Sequence, residues 1–356
     1  MSQAKRIAVV PGDGIGPEVI KECTQLLTQL GGAGHINVEL VEKDWGADRW
    51  LREKVGLPAG AMDDLRENYQ AILFGALGDP RIPDMAHGRE ILLGMRFGLD
   101  LYVNMRPVTV MKGDLCPIKN IGDGDIDMVI FRENTEDMYV SMGGLFKEGT
   151  EDEVAMDQSM NTRKGVERII RHAFQFAHDA GRKKVTMIDK SNAVRYGGGL
   201  WKRVFQSVSE EYPAIEKDHL FVDVAAMEMV RDPKRFDVVV TNNLFGDILS
   251  DIGAGLAGSL GLAASGNIHP GLIGLFEPVH GSAPDIVGTG QANPVAAFLS
   301  TAMMLEFLDF TDAAKAVRSA CAQCVSAGHV TRDLGGTLTT AEVGAKICQE
   351  TLRELG

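Results

Sequence analysis

Hydrophobic and polar positions in the first half of the chain alternate between the spacing of buried strands and that of amphipathic helices. After a short apolar run that ends at Val10, a helix is predicted whose apolar positions are Val19, Ile20, Cys23, Leu26, Leu27 and Leu30. Further strand-like runs are AILFG (71–75), VIFREN, KKVTMIDK, HLFVDVA and FDVVVTNN, and Val166, Ile169, Ile170, Ala173 and Phe174 mark one face of a long helix between two of them. Strands alternating with helices predict an α/β protein with a largely parallel sheet and functional residues at strand ends.

The pattern changes between Ala254 and Gly274, where glycine and other small residues dominate. Apolar helices resume over residues 294–308 and continue to the C-terminus. Because no linker divides the chain, we expect one domain to combine both ends of the chain, with the middle segment inserted. Residues 254–274 are then either a crossing between domains or a turn that lies against a ligand.

The formal net charge of −13 argues against a general nucleic-acid-binding protein. An anionic ligand would have to be met by a local cluster of arginines. The apolar run from Ile7 to Val10 is too short for a signal peptide, and no stretch approaches the roughly 18 apolar residues that cross a membrane. These features predict a cytoplasmic protein without membrane or nucleic-acid partners.

The five cysteines are scattered, and only Cys321 and Cys324 form a CxxC pair. That pair lies in a helical segment, without a second pair or a strand–helix–strand context before it. We therefore predict two thiols packed between helices.

The glycine-rich segment GDGIGPE follows the first strand and opens the first helix. Gly12, Gly14 and Gly16 give the spacing GxGxG, whereas a dinucleotide fingerprint requires GxGxxG and an acidic residue about 20 positions later. The segment is better interpreted as a tight strand-to-helix turn.

Three arginines lie at or near the ends of apolar runs: Arg96, Arg106 and Arg132. A guanidinium group binds a carboxylate in a planar, bidentate manner, so three converging arginines would suit a di- or tricarboxylate. Each alone would also be compatible with a solvated or salt-bridged surface position.

Asp247 and Asp251 are four residues apart and share a helix face. Together with Asp223, assigned to the end of the strand HLFVD, they could bind Mg²⁺ or Mn²⁺, although carboxylates that only solvate a helix remain an alternative. Lys190 follows a buried strand and could act as a general base if neighbouring cations lower its pKa. Tyr139 is a possible partner acid.

The loop between Gly274 and Pro294 combines glycines with His280, Ser282, Asp285 and Asn293, ahead of an apolar helix. Such a loop can wrap an adenosine. Asp285 is suited to holding both ribose hydroxyls while repelling a 2′-phosphate.

Taken in order, GDGIGPE, RPV, RENTED, DKSN, NNLFGDILSD and EPVHGSAPDIVGTGQANP resemble the isocitrate and isopropylmalate dehydrogenase family of β-decarboxylating dehydrogenases over essentially the whole chain. The resemblance implies a two-domain α/β fold that is not a Rossmann fold. Its larger domain would combine residues 1–101 and 256–356, and its smaller domain would be residues 102–255. It also implies an active cleft between the domains and a homodimer.

The resemblance also implies roles for individual residues. Arg96, Arg106 and Arg132 correspond to the carboxylate clamp, Tyr139 to the acid that protonates the enol, and Lys190 to the base that takes the hydroxyl proton.

The implied ligands of Mg²⁺ or Mn²⁺ are Asp223, Asp247 and Asp251, and in this family the lysine and the first aspartate come from the partner subunit. The residues that resemble the cofactor-binding set are His280, Gly281, Ser282, Ala283, Asp285, Asn293 and Asn192. NADP enzymes of the family tend to have lysine and tyrosine where this chain has Asp285 and Ile286, so NAD is expected.

The implied reaction is the oxidative decarboxylation of a 3-substituted malate. Isocitrate enzymes have serine and asparagine where Glu90 and Leu92 stand, and homoisocitrate enzymes have arginine at the position of Leu93. Leu92 and Leu93 resemble the apolar surface that meets an isopropyl group, which favours 3-isopropylmalate or a similar 3-alkylmalate.

Two positions depart from isopropylmalate enzymes, which usually have an acidic residue at Arg89 and leucine at Asn134. Tartrate, D-malate and isocitrate therefore remain alternative substrates, and Arg89, with His87 close by, could bind a distal carboxylate. A non-catalytic regulatory paralogue is a remote alternative. Such subunits usually lack metal or base residues, and none is lost here.

Overall fold

The chain divides into two compact units in a computed structural model that describes residues 3–356. The terminal unit comprises the residues up to Leu101, Thr109–Asp125 and Ala254–Gly356, and the central unit comprises Tyr102–Val108 and Ile126–Gly253. Thr109–Asp125, which the expected boundaries assign to the central domain, lies in the terminal unit. The reason is a close approach within that unit, since a Cβ added at Gly258 would lie 2.7 Å from Leu115 Cβ.

Strands and helices alternate along most of the chain. The strands are β1 (Lys5–Gly12), β2 (Val38–Glu42), β3 (Ala71–Ala76), β4 (Val103–Thr109), β5 (Asp127–Glu133), β6 (Gly143–Phe146), β7 (Val154–Asp157), β8 (Lys184–Asp189), β9 (Glu216–Phe221), β10 (Val238–Thr241), β11 (Ala264–His269) and β12 (Ile273–Pro278). The helices are α1 (Gly16–Gly32), α2 (Ala47–Glu53), α3 (Ala61–Asn68), α4 (Ala86–Gly88), α5 (Gly94–Gly98), α6 (Arg163–Asp179), α7 (Arg195–Ser209), α8 (Val222–Arg231), α9 (Asn243–Ala257), α10 (Val295–Phe307), α11 (Thr311–Ser326) and α12 (Thr340–Leu355). A π-helical turn, Arg89–Leu93, joins α4 to α5.

The strands of the terminal unit follow the order β2-β1-β3-β12-β11. The first four are parallel, and β11 runs antiparallel to β12. Every residue of β3 is buried, as expected for a strand covered on both faces. The predicted apolar face of α1, from Val19 to Leu30, is buried, which confirms that helix.

The cysteines of the terminal unit are free and buried, as the prediction of helix-packed thiols requires. Cys321 and Cys324 both lie in α11. Burial raises the pKa of Cys23 to about 12, so this thiol stays protonated and unreactive near neutral pH.

The strands of the central unit follow the order β4-β5-β10-β8-β9, in which β5, β10, β8 and β9 are parallel. The amphipathic face predicted between Val166 and Phe174 is the buried face of α6. A separate antiparallel hairpin joins β6 to β7, and all eight of its strand residues are exposed.

The prediction that Asp223 ends a strand is wrong. Strand β9 ends at Phe221, and Asp223 lies in the first turn of α8. A carboxylate is favourable there because the positive end of the helix dipole and the unpaired N–H groups face it. Within residues 3–356, no helix combines the length and the apolar composition needed to cross a membrane.

Candidate active site

Arg132 is the penultimate residue of β5 and is almost completely buried in the central unit. Its Nε donates to Asn243 Oδ1 at 2.8 Å, and its terminal nitrogen pairs with Asp247. The first turns of α9 lie directly over the arginine side chain, because a Cβ added at Gly246 would be only 2.6 Å from its Cβ and Cγ. Gly246 therefore allows strand and helix to approach closely enough for the ion pair.

Tyr139 lies in the segment that follows β5 and contacts both Arg132 and Asp247. Its hydroxyl donates to Asp247, and the Arg132 guanidinium lies 4.9 Å from the centroid of its ring. The backbone that carries Tyr139 is anchored to α9, because Leu244 N–H donates to Asp137 Oδ2 at 3.0 Å. Asp137 has a φ of 70°, a conformation unusual for a residue with a side chain.

Arg106 reaches helix α9 from β4. Its Nε donates to Asn104 Oδ1 at 3.0 Å, and its terminal nitrogen donates to Ser250 Oγ at 3.3 Å. The Ser250 hydroxyl in turn donates to the carbonyl of Asp247 at 3.0 Å. Two of the three predicted clamp arginines thus contact α9, which also carries Asp247 and Asp251.

Asp247 and Asp251 lie on the same helix, as the sequence predicts. Partial burial and the neighbouring Asp247 raise the pKa of Asp251, while the charges of Arg106 and Arg132 oppose that rise. Two crowded carboxylates are a donor set that Mg²⁺ or Mn²⁺ would accept. Among residues 3–356 of one chain, however, no three His, Cys, Asp or Glu side chains are arranged to hold a metal ion.

Lys190 and Asp223 form a pair of their own within the chain. Their Nζ and Oδ1 atoms lie 2.6 Å apart, and this hydrogen bond lowers the pKa of Asp223. Lys190 follows β8, beside Asp189, whose carboxylate contacts His219 Nε2 at 2.8 Å. Asn192 is exposed in the turn after β8.

In the terminal unit, Arg96 lies in α5 and contacts Glu277 of β12 at 3.3 Å. Glu277 also accepts a hydrogen bond from Asn267 at 2.8 Å. Leu92 and Leu93 are half-buried in the π-helical turn, and Leu92 packs against the apolar core of the unit.

The structure gives different environments to the other residues near this turn. Arg89 is exposed. Glu90 accepts hydrogen bonds from the backbone N–H groups of Gly56 at 2.9 Å and Leu57 at 3.2 Å. His87 is fully buried and lies 2.9 Å from Asp13. A buried imidazole held in this way belongs to the packing of the GDGIGPE turn, so His87 is not placed to meet a ligand with Arg89.

The predicted cofactor loop is fixed by the GDGIGPE turn. Ile15 N–H donates to the Ser282 carbonyl at 2.9 Å, and Gly288 N–H donates to Glu18 at 2.6 Å. Gly14 has a φ of 59°, and an added Cβ there would lie 2.1 Å from the Ser282 carbonyl oxygen. The turn therefore holds the loop in place, a role that its glycine spacing alone did not reveal.

Residues of the cofactor loop differ in exposure. Asp285 and Gly281 are exposed, Ala283 is half-buried and Ser282 is buried. Burial lowers the pKa of His280, so its ring is neutral at neutral pH. Asn293 accepts a hydrogen bond from Val295 N–H at 3.0 Å and donates one to Asp333 at 2.9 Å, so it fixes the end of the loop.

Comparisons with known proteins agree with the resemblance seen in the motifs. The model of the isocitrate/isopropylmalate dehydrogenase family matches residues 6–347. A 3-isopropylmalate dehydrogenase from Thermobifida fusca is 45% identical over 346 residues, covering 97% of each chain. The isocitrate dehydrogenase structure from Methylococcus capsulatus is 37% identical with a TM-score of 0.88, covering 98% of this chain and 99% of the other. The apo β-decarboxylating dehydrogenase from Thermococcus kodakarensis is 35% identical with a TM-score of 0.81, covering 98% and 96% respectively.

Proposed function

Because the chain belongs to the isocitrate/isopropylmalate dehydrogenase family and is a β-decarboxylating dehydrogenase, we propose that it oxidises and decarboxylates a 3-substituted malate. The first choice of substrate is 3-isopropylmalate or a similar 3-alkylmalate. The proposed hydride acceptor is NAD, and the proposed metal is Mg²⁺ or Mn²⁺.

The observation that carries this proposal is the cluster around helix α9. Arg106 and Arg132 supply two positive charges for substrate carboxylates, and Asp247 and Asp251 supply oxygen ligands. A divalent cation held by these aspartates would acidify the substrate hydroxyl and draw electrons toward its oxygen during loss of the carboxylate. Tyr139, whose hydroxyl already points into the cluster, would protonate the product carbon.

We propose that the complete site forms between two copies of the chain. One chain supplies Asp247 and Asp251, whereas Lys190 and Asp223 bond to each other and join no group of three metal-ligating side chains within residues 3–356. In a homodimer, Lys190 and Asp223 of one copy would complete the cluster of the other. Lys190 would then remove the hydroxyl proton, and Asp223 would add a third carboxylate.

The preference for NAD rests on Asp285. Its exposed carboxylate follows the buried Ser282 in a loop that the GDGIGPE turn holds in place. A carboxylate at that position would accept hydrogen bonds from both ribose hydroxyls and repel a 2′-phosphate. A cytoplasmic location is part of the proposal, and the five free cysteines agree with a reducing compartment.

The choice of substrate rests on Leu92 and Leu93 and on relatives named 3-isopropylmalate dehydrogenase at about 45% identity. Isocitrate is the alternative, because the exposed Arg89 could bind a distal carboxylate and a close structural neighbour is an isocitrate dehydrogenase. A regulatory paralogue is disfavoured, since the base and the metal-ligating residues are all present.

The test is a panel of 3-isopropylmalate, malate, tartrate and isocitrate, each with Mn²⁺ and with NAD or NADP, followed by cofactor absorbance and carbon dioxide release. We expect 3-isopropylmalate with NAD to give the highest kcat/KM. The kcat/KM for isocitrate should be lower by about 100-fold or more, because burying a carboxylate against leucine side chains without a hydrogen-bond donor is unfavourable. A preference for isocitrate that Arg89→Ala removes would overturn the substrate assignment.

The proposed metal ligand is tested separately. Asp247→Asn should weaken Mn²⁺ binding and abolish turnover without unfolding the protein, because one of few anionic ligands is lost. The exposed Asp312→Asn in α11 is the control and should behave as the wild type. Retained turnover with unchanged metal dependence in Asp247→Asn would contradict the assignment.

A further inference from the structure

Asn243, the first residue of α9, is almost completely buried, and both polar groups of its side-chain amide form hydrogen bonds. Its Oδ1 accepts from Arg132 Nε at 2.8 Å, and its Nδ2 donates to the Glu136 carbonyl at 3.0 Å. We propose that Asn243 is a positioning residue that aligns Arg132 and the Tyr139 segment with each other. The proposal rests on the function proposed above for these two residues.

The amide can fulfil this role in one orientation only. A flip would place the amide NH₂ against the N–H of Arg132 and the amide oxygen against the Glu136 carbonyl, so both hydrogen bonds would be lost. Because the site is buried, water cannot replace them, and the penalty for unpaired groups falls on both partners. The position of the guanidinium plane and that of the Glu136 backbone are therefore coupled through one side chain.

The coupling extends to Tyr139 through three residues of backbone. The neighbouring Leu244 N–H donates to Asp137 Oδ2 at 3.0 Å, so α9 holds the segment at two consecutive residues. Asp137 needs such support, because its φ of 70° and ψ of −144° lie in a region that residues with side chains rarely adopt. Without the hydrogen bond from Asn243, this strained segment would have one hydrogen bond fewer to α9.

The adjacent Asn242 provides a matched control. Its Oδ1 accepts from Phe245 N–H at 3.0 Å and so caps the start of α9. Asn242→Ala should therefore weaken the helix, as Asn243→Ala would, without removing the hydrogen bond to Arg132 or to Glu136.

The experiment compares Asn243→Ala and Asn243→Asp with Asn242→Ala and Asn242→Asp, by thermal unfolding and by steady-state kinetics with the best hydroxy acid of the panel. Asn243→Ala should raise the KM for the hydroxy acid and lower kcat, with a combined loss of about 10–100-fold, while the cofactor KM stays unchanged. Asn243→Asp keeps an acceptor for Arg132 but loses the donor to Glu136, so it should retain the substrate KM and lower kcat. Asn242→Ala should lose stability and keep both constants, whereas Asn242→Asp retains an oxygen that can cap α9 and should keep stability and both constants.

Binding of malonate, a dicarboxylate that cannot react, keeps this test separate from the proposed reaction. If the wild type turns over no hydroxy acid, the proposed function fails, and malonate affinity still reports on Arg132. Asn243→Ala should then bind malonate about 10-fold more weakly than Asn242→Ala. If Asn243→Ala does not fold, kcat of the two aspartate variants decides, and it should be lower in Asn243→Asp than in Asn242→Asp. Equal kinetics and equal malonate affinity at positions 242 and 243 would overturn the proposal.

Discussion

Gly246 determines how closely helix α9 approaches Arg132. A methyl group there would overlap the Cβ and Cγ atoms of the arginine at 2.6 Å. We expect Gly246→Ala to displace the guanidinium by a fraction of an ångström or more, to lower kcat/KM by about 100-fold and to cost about 1–3 kcal/mol of stability. Steady-state kinetics and urea unfolding would measure the two effects.

Gly255 on the same helix is the control for this substitution. An added Cβ there meets no heavy atom within 4 Å, so Gly255→Ala should stabilise α9 by about 0.5–1 kcal/mol and leave activity unchanged. Equal activity in the two alanine variants would show that Arg132 is not held by the close approach.

Glu133, next to Arg132, makes stability depend on pH. Burial raises its pKa to about 7 from 4.5, although hydrogen bonds from Thr135 oppose this rise. A raised native pKa stabilises the fold fully below the unfolded value, and this contribution is lost as the pH rises through about 7. In the absence of divalent cations, the contribution of Glu133 to the unfolding free energy should therefore fall by up to about 3 kcal/mol between pH 4.5 and 7.5. Buried His172, whose pKa is lowered to about 4, contributes in the opposite direction between about pH 4 and 6.5, so the effect of Glu133 is read from the difference between variant and wild type.

Glu133→Gln cannot ionise, so its unfolding free energy should increase with pH relative to that of the wild type in urea unfolding measured across the same range. The exposed Glu148→Gln should retain the wild-type slope. An unchanged slope in Glu133→Gln would assign the pH dependence to other groups.

At the scale of elements, the β6–β7 hairpin carries apolar side chains that its own chain leaves exposed. Leu145, Phe146, Val154 and Met156 are all more than half exposed, and so is Ile248 on α9. A two-stranded hairpin is marginally stable alone, so this one requires a packing partner. We assign that role to the second copy of the proposed homodimer.

Phe146→Asp should therefore shift the protein from dimer to monomer in sedimentation equilibrium and remove activity. Leu272→Asp, in the turn between β11 and β12, is the matched control, since the two side chains are 65% and 66% exposed. The control should keep the oligomeric state. A Phe146→Asp variant that remains dimeric would place the interface elsewhere.

At the scale of the whole molecule, sharing of the active site can be tested by mixing two inactive variants. Subunits with Lys190→Ala and with Asp247→Asn should recover about a quarter of the wild-type activity after exchange. Half of the dimers are then mixed, and each mixed dimer has one of its two sites intact. Exchange is verified by mass spectrometry with isotopically labelled subunits. Full exchange without recovery would mean that Lys190 acts in its own subunit.

The sequence by itself determined the α/β class, most elements and the family. These features depend on local periodicity and on short motifs, as the helix of Asp247 and Asp251 shows. It misplaced Asp223 in a strand, because a β-rich run does not reveal where the backbone turns into a helix whose N-terminus favours a carboxylate. Convergence of Arg96 with the other two arginines stays a prediction.

Only the tertiary structure decided which of these residues meet. Arg132 and Asn243 are 111 positions apart in the chain, and Tyr139 and Asp247 are 108 positions apart. No local pattern encodes such pairs, because they depend on how strand β5 and helix α9 pack. The same packing gives Gly246 and Asn243 their roles, since a missing side chain and a buried amide acquire meaning only from the atoms placed against them.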